Sequence, residues 1–210
     1  MIELRGVRKA LGGTTVLDDL DLLVHPGECV MIIGDSGAGK TTLLRVIAGL
    51  ETPDSGSVWL RGRDAMRLAP YKRMLAFQFQ DAALWPHMSL LDNVSFGGSG
   101  AASRAGEFLD RAGLSKLAKR RPADVSGGEA RRAALARALA PRRDILLLDE
   151  PLSNLQPALR VQMAEWIREE LQLNQAACLW VAHDADEAAG IASRTLTLAG
   201  GRLTSAPVKR

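Results

Sequence analysis

Apolar and polar positions fall into short strand-like runs in the first third of the chain and into helix-spaced sets afterwards. Ile2 to Val7 and the spacing over Val16 to Val24 predict two half-buried strands. His25-Pro26-Gly27 reads as a turn and Glu28 to Ile33 as the next strand. Within it, Cys29-Val30-Met31-Ile32-Ile33 is continuously apolar, as expected of a strand buried on both faces. Glycine-rich sequence follows, then a predicted helix over Thr41 to Ala48 with Gly49 as its stop. Gly56 to Gly62 and Met74 to Phe79 read as two more short strands.

From Ala82 to about Ala140 helix formers dominate, notably Arg104 to Ala112 and Glu129 to Ala140, which predicts a helical insertion at about 82–140 within a single domain spanning 1–210. Gly97 to Ser103 reads as a mobile loop inside it. The last third returns to alternation. Strand Ile145 to Leu148 precedes a helix with Leu159, Met163, Ile167 and Leu171 at i+4 spacing. Strand Cys178 to Ala182, a helix near Asp186 to Ala192 and strand Thr195 to Leu198 complete the series. Strands alternating with helices predict an α/β fold with a mainly parallel sheet covered on both faces.

Composition narrows the reading. A chain of 210 residues, 47% hydrophobic and 24% charged, suits one globular domain with its own core. The net charge of +3 is too weak to call for a nucleic-acid partner, and none is expected. Cys29 and Cys178 lie in apolar runs without metal-ligand spacing and read as small buried thiols in a reducing cytosol. The N-terminus lacks the layout of a signal peptide, and no apolar run approaches the roughly 20 residues that cross a bilayer. A soluble protein is expected, with any membrane role exercised through a partner.

Gly34-Asp35-Ser36-Gly37-Ala38-Gly39-Lys40-Thr41 fits G-x-x-x-x-G-K-[ST], between a buried strand and a helix, with Thr42 next in line. Glycines let such a loop turn its backbone N–H groups toward a phosphate, Lys40 adds charge, and the Thr41 hydroxyl suits Mg²⁺. Ile145 to Leu148 runs into Asp149-Glu150, carboxylates at the ligand end of an α/β strand. Asp149 suits a Mg²⁺ shell and Glu150 a general base or water-positioning group for attack on a γ-phosphate.

Val125-Ser126-Gly127-Gly128-Glu129 resembles the LSGGQ signature of ATP-binding cassette (ABC) ATPases, and it stands upstream of the acidic strand as in that family. Phe79-Gln80-Asp81 resembles the Q-loop, Ser153-Asn154-Leu155-Gln156 the D-loop, and Val181-Ala182-His183-Asp184 the switch-histidine segment. The resemblance covers nearly the whole chain. It implies a P-loop NTPase (RecA-like) fold with an N-terminal antiparallel β part and an inserted helical subdomain. It also implies ATP and Mg²⁺ as ligands, Gln80 and His183 at the γ-phosphate, Gln80 near the metal, and Ser126 to Glu129 against the ATP of a second cassette. A homodimer is the simplest form, with a heterodimer equally compatible with the motifs.

Three positions depart from the family pattern. Leu11 stands near where an aromatic residue stacks on adenine, Glu129 replaces the signature glutamine, and Gln156 replaces the D-loop aspartate. Trp85 to Val94 resembles the segment after the Q-loop in importer ATPases, so import through a separate permease served by a solute-binding protein is the preferred reading, at the inner face of the cell membrane. The sequence ends near Arg210 without the regulatory extension some importer subunits carry. Alternatives are an exporter or lipoprotein-release ATPase, a soluble cassette acting on nucleic acid or ribosomes, and a catalytically weakened member of a heterodimer.

Overall fold

Ten strands divide between two sheets in the computed structural model of the chain, which describes residues 1–188 and 190–205. β1 (Ile2–Leu11), β2 (Thr14–Val24), β4 (Ser55–Leu60) and β5 (Arg63–Asp64) form an antiparallel sheet in the order β2-β1-β4-β5. β3 (Cys29–Ile33), β6 (Ala76–Gln78), β7 (Ile145–Asp149), β8 (Ala177–Ala182), β9 (Arg194–Ala199) and β10 (Arg202–Ser205) form the second, ordered β10-β9-β3-β8-β7-β6. All its pairings are parallel except β9 with β10.

The central strands are apolar throughout because both faces are covered. Val30, Ile32, Leu147, Leu179 and Val181 face a core shared with the antiparallel sheet and with α1 (Lys40–Ala48). Met31, Leu146, Leu148, Cys178 and Trp180 face the opposite core. That core is filled by α2 (Leu90–Ser95), α3 (Ser99–Arg111), α4 (Gly127–Leu139) and α5 (Pro157–Asn174). Met163, Ile167 and Leu171 of α5 are buried there, with Leu159 packed at the margin. Between β6 and β7 the chain forms α2, α3 and α4.

Gly49 ends α1 in the left-handed region at φ +77°, which a glycine adopts without strain. Beside it, the buried Arg73 donates through Nη1 to the Val46 and Ile47 carbonyls at 3.0 and 2.7 Å, satisfying groups that a helix end leaves open.

Two sequence expectations change. The Gly97 to Ser103 segment is not a loop throughout, because α3 starts at Ser99; Ala101 and Ala105 are buried against neighbouring helices, and packing overrides the loop-like composition. Instead of a helix near Asp186 to Ala192 there is a 3-10 turn at Ala185–Ala188; residue 189 lies outside the described residues. Gly190 turns the chain at φ +78°, and the Ser193 N–H donates to the Cys29 carbonyl, which directs the backbone into β9. β5 and β10 were not foreseen. Cys29 and Cys178, far apart in sequence, face each other in register across β3 and β8 as buried free thiols.

Candidate active site

β3 delivers the glycine-rich loop and α1 receives it. Lys40 is 6% exposed, and its ammonium folds back on the loop, donating to the carbonyls of Gly34 at 2.6 Å and Asp35 at 2.9 Å. Burial lowers the Lys40 pKa, while Glu150, Asp149 and Asp35 pull it back up. Inside the loop the Ala38 N–H donates to the Asp35 carbonyl. The glycines answer to close approach: a Cβ on Gly34 would lie 2.4 Å from the Leu198 carbonyl oxygen, and one on Gly39 2.6 Å from that of Val16. Gly39, at φ +98°, caps α1 without a side chain, so no capping oxygen takes up the first-turn N–H groups and they could accept an anion.

Asp149 closes β7 and is 2% exposed. Burial raises its pKa, and the neighbouring Thr41 hydroxyl opposes that rise. Glu150 follows with its backbone in the left-handed region at φ +49°, fixed by its N–H donating to the Val181 carbonyl at 2.9 Å. Its carboxylate is gripped on both oxygens. Gln80 Nε2 donates to Oε2 at 3.0 Å, and His183 Nε2 stands 2.7 Å from Oε1.

Lys40, Thr41, Gln80, Glu150 and His183 meet in a cavity of about 300 Å³; Asp149, like Gly34, Asp35 and Ala38, is not part of its lining. Leu11 and Val16 line it from the antiparallel sheet, Ser36, Gly37, Gly39, Lys40, Thr41 and Thr42 from the loop and helix, and Gln80, Glu150 and His183 complete it. A larger open cleft of about 650 Å³ between Glu3, Arg5, Glu28 and Arg194 contains none of them. Ser126, Gly127, Gly128 and Glu129 do not line the cavity; they form the start of α4 elsewhere on the chain. There Ser126 and Glu129 make a reciprocal cap, with the Ser126 N–H donating to Glu129 Oε2 at 2.7 Å and the Glu129 N–H to Ser126 Oγ at 3.3 Å.

The sequence model described as ABC transporter matches residues 17–153. The chain belongs to the ABC transporter family. This cassette is 42% identical to an Fe(3+) ions import ATP-binding protein, FbpC, of Agrobacterium fabrum, over 97% of this chain and 60% of that protein. It is 41% identical to a sulfate/thiosulfate import ATP-binding protein, CysA, of Rhodopseudomonas palustris, over 96% of this chain and 61% of that protein. The chain thus spans about three-fifths of the length of these relatives. Among solved structures, an ATP-binding cassette in a dimeric post-hydrolysis state bound to ADP and Pi superimposes with a TM-score of 0.88 at 28% identity, covering 97% of this chain and 96% of that one. The α/β fold with its mixed main sheet is that of the ABC ATPase cassettes.

Two contacts of this cassette escaped the sequence. Glu187, in the 3-10 turn after His183, accepts from the Leu152 N–H at 3.2 Å. Arg131 of α4 donates to the carbonyl and hydroxyl of Ser153. Both partners belong to the turn that carries Glu150, and each contact involves backbone that no residue pattern signals.

Proposed function

We propose that this chain is the ATP-hydrolysing subunit of an importer, acting on a separate membrane permease. The observation that carries the reading is the Glu150 carboxylate, held between Gln80 and His183 at the mouth of the P-loop cavity. In this reading Lys40 and the loop from Gly34 to Thr42 bind the phosphates of ATP. Glu150 accepts a proton from water as the water oxygen bonds to the γ-phosphorus and the bond from that phosphorus to the bridging oxygen of ADP breaks. Gln80 and His183 orient the Glu150 carboxylate and the γ-phosphate. The Glu150 backbone is held in the left-handed region, and the residue lines the cavity beside the loop.

The donor set fits Mg²⁺. Thr41 and Asp149 offer hard oxygens, Gln80 adds an amide, and no cluster of His, Cys, Asp and Glu suited to an all-protein metal cage occurs among the described residues. Mg²⁺ characteristically keeps waters and takes oxygens from substrate phosphates. When bound, it neutralises charge on the transferred phosphoryl group.

A cavity without Ser126 to Glu129 supports a composite site, in which a second copy presents its α4 N-terminus to the nucleotide. The dimeric solved cassette favours a homodimer. The names of the iron and sulfate relatives support import, and with it a permease, a solute-binding protein and a place at the cytoplasmic face of the membrane. No helix among the described residues is long and apolar enough to cross a membrane, in keeping with a separate permease. Residues 1–210 form one ATPase domain in this reading, with 82–140 as its helical insertion, and no nucleic-acid partner enters.

Mg²⁺-dependent ATP hydrolysis by the purified chain over a range of protein concentrations tests the proposal, with Glu150→Gln alongside. Specific activity should rise with concentration and vanish in the variant. Wild-type activity in Glu150→Gln would remove Glu150 from the chemistry. Hydrolysis absent even with the permease, while ATP still binds, would favour a weakened partner in a heterodimer.

A further inference from the structure

The backbone at Glu150 is pinned on both sides. On one side its N–H is bonded to β8 through Val181. On the other, its carbonyl accepts from both the N–H and the Oγ of Ser153, at 3.3 and 3.0 Å, closing a tight turn over Pro151 and Leu152. Any shift of Leu152 or Ser153 is therefore passed to a residue whose φ of +49° leaves little conformational freedom. The Leu152 N–H has one side-chain acceptor, Glu187 Oε1, at 3.2 Å.

A carboxylate is costly there. Burial raises the Glu187 pKa to about 7, Glu150 and Asp184 push the same way, and the Leu152 N–H and Arg160 only partly compensate. A neutral side chain would fill the place at lower cost to the fold. Glu187 also belongs to the 3-10 turn that directly follows His183, so its contact with Leu152 ties the switch segment to the turn that bears Glu150.

We infer that Glu187 is a positioning residue for hydrolysis: by accepting from the Leu152 amide it sets the Glu150 backbone and joins the switch segment and the base into one rigid unit. The inference rests on the reading of Glu150 as the base. A carboxylate displaced on the order of an ångström loses its line to the attacking water, which can cost up to about a hundredfold in rate without affecting ground-state nucleotide contacts.

The test compares kcat, KM for ATP and equilibrium ATP binding in Glu187→Met, Glu187→Gln and Glu150→Gln, under conditions where the wild-type chain turns over. Methionine fills the space without an acceptor for the Leu152 N–H; the glutamine carbonyl can still accept. The expected result is a fall in kcat of about tenfold or more in Glu187→Met, with KM and binding within about twofold, and recovery of most of the rate in Glu187→Gln. Unchanged kcat in Glu187→Met overturns the inference. So does an equal loss in both Glu187 variants, which would make the charge the working part, or a parallel loss of ATP binding and thermal stability, which would make the role structural. If Glu150→Gln is inactive while Glu187→Met is not impaired, this inference alone fails. If Glu150→Gln hydrolyses ATP normally, the reading of Glu150 fails and takes the inference with it.

Discussion

Arg131 reaches from α4 to Ser153, its Nη1 donating to the carbonyl at 3.1 Å and to the hydroxyl at 2.8 Å. The helix whose N-terminus is capped by Ser126 is thereby bonded to the turn that carries Glu150, within one chain. A force on the start of α4 has a short hydrogen-bonded route to Glu150. Arg131→Ala should lower kcat by about tenfold. ATP affinity of the isolated chain should stay unchanged, since Arg131 does not line the cavity. Steady-state hydrolysis paired with an equilibrium nucleotide titration would check this, and a loss of affinity equal to the loss of rate would count against it.

Glu129 is folded back on its own helix. Its carboxylate accepts from the Ser126 N–H and hydroxyl, and these bonds hold its pKa below the usual range. Negative charge thus already occupies the N-terminus that a composite site would offer to a partner's triphosphate. Glu129→Gln should strengthen ATP-dependent dimerisation several-fold at low salt and less at high salt, because screening weakens exposed charge. Light scattering in a Glu150→Gln background, with and without Mg-ATP, measures it; dimerisation indifferent to both the substitution and salt would sink the argument.

Leu11 is 43% exposed and lines the cavity beside Val16. An aliphatic side chain can cover a nucleobase but cannot stack on it, so part of the available affinity is missing. Leu11→Tyr should tighten ATP binding by about threefold to tenfold, on the order of 1 kcal/mol. A titration with ATP and with a pyrimidine triphosphate would separate stacking from phosphate binding, and equal affinities in both proteins would refute it.

The parts of this molecule legible in the sequence are those whose structure is local. Cys29 to Ile33, the glycine loop and α1 are contiguous, and the apolar run into Asp149-Glu150 carries its carboxylates at the strand end. What escaped depends on partners distant in the chain. β10 is short and largely exposed, and it exists because Gly200-Gly201 folds it back on β9. Ser99 to Ser103 has a loop's composition and becomes helix because Ala101 and Ala105 are small enough to pack into the core of α2 to α5. Gly97 belongs to the same contact, since a Cβ there would lie 2.4 Å from Pro141 Cγ. The grips of Glu187 and Arg131 on the Glu150 turn run mainly to backbone atoms, which carry no residue signal.

Gly49 and Arg73 form a structural couple at the far end of α1. A Cβ on Gly49 would stand 2.5 Å from Arg73 Nε, and the backbone there is already in the left-handed region. Gly49→Ala therefore carries a conformational penalty and displaces the guanidinium from the Val46 and Ile47 carbonyls it satisfies. The expected loss is about 2–4 kcal/mol, or roughly 5–10 °C in Tm for a domain of this size. Arg73→Ala should destabilise by a similar amount, and Gly49→Ala added to it should cost clearly less than in the wild type, because the clash is gone. Additive losses in thermal melts would disprove the coupling.

Glu187 also predicts a pH dependence of stability that is separate from its proposed effect on rate. Its pKa rises from an ordinary 4.5 to about 7 on folding, so between those values the folded chain binds more protons than the unfolded one. Stability from this group is fully present below pH 4.5 and is lost as pH rises through about 7. Glutamine does not titrate. Glu187→Gln should therefore be more stable than the wild type at pH 8, by about 1–2 kcal/mol once solvent screening is allowed for, and the gap should close toward pH 4.5. Urea melts of both proteins across this range provide the measurement. A constant difference at every pH would mean that the Glu187 carboxyl is not held in the environment described for it, while a gap that widens on acidification would reverse the sign of its linkage.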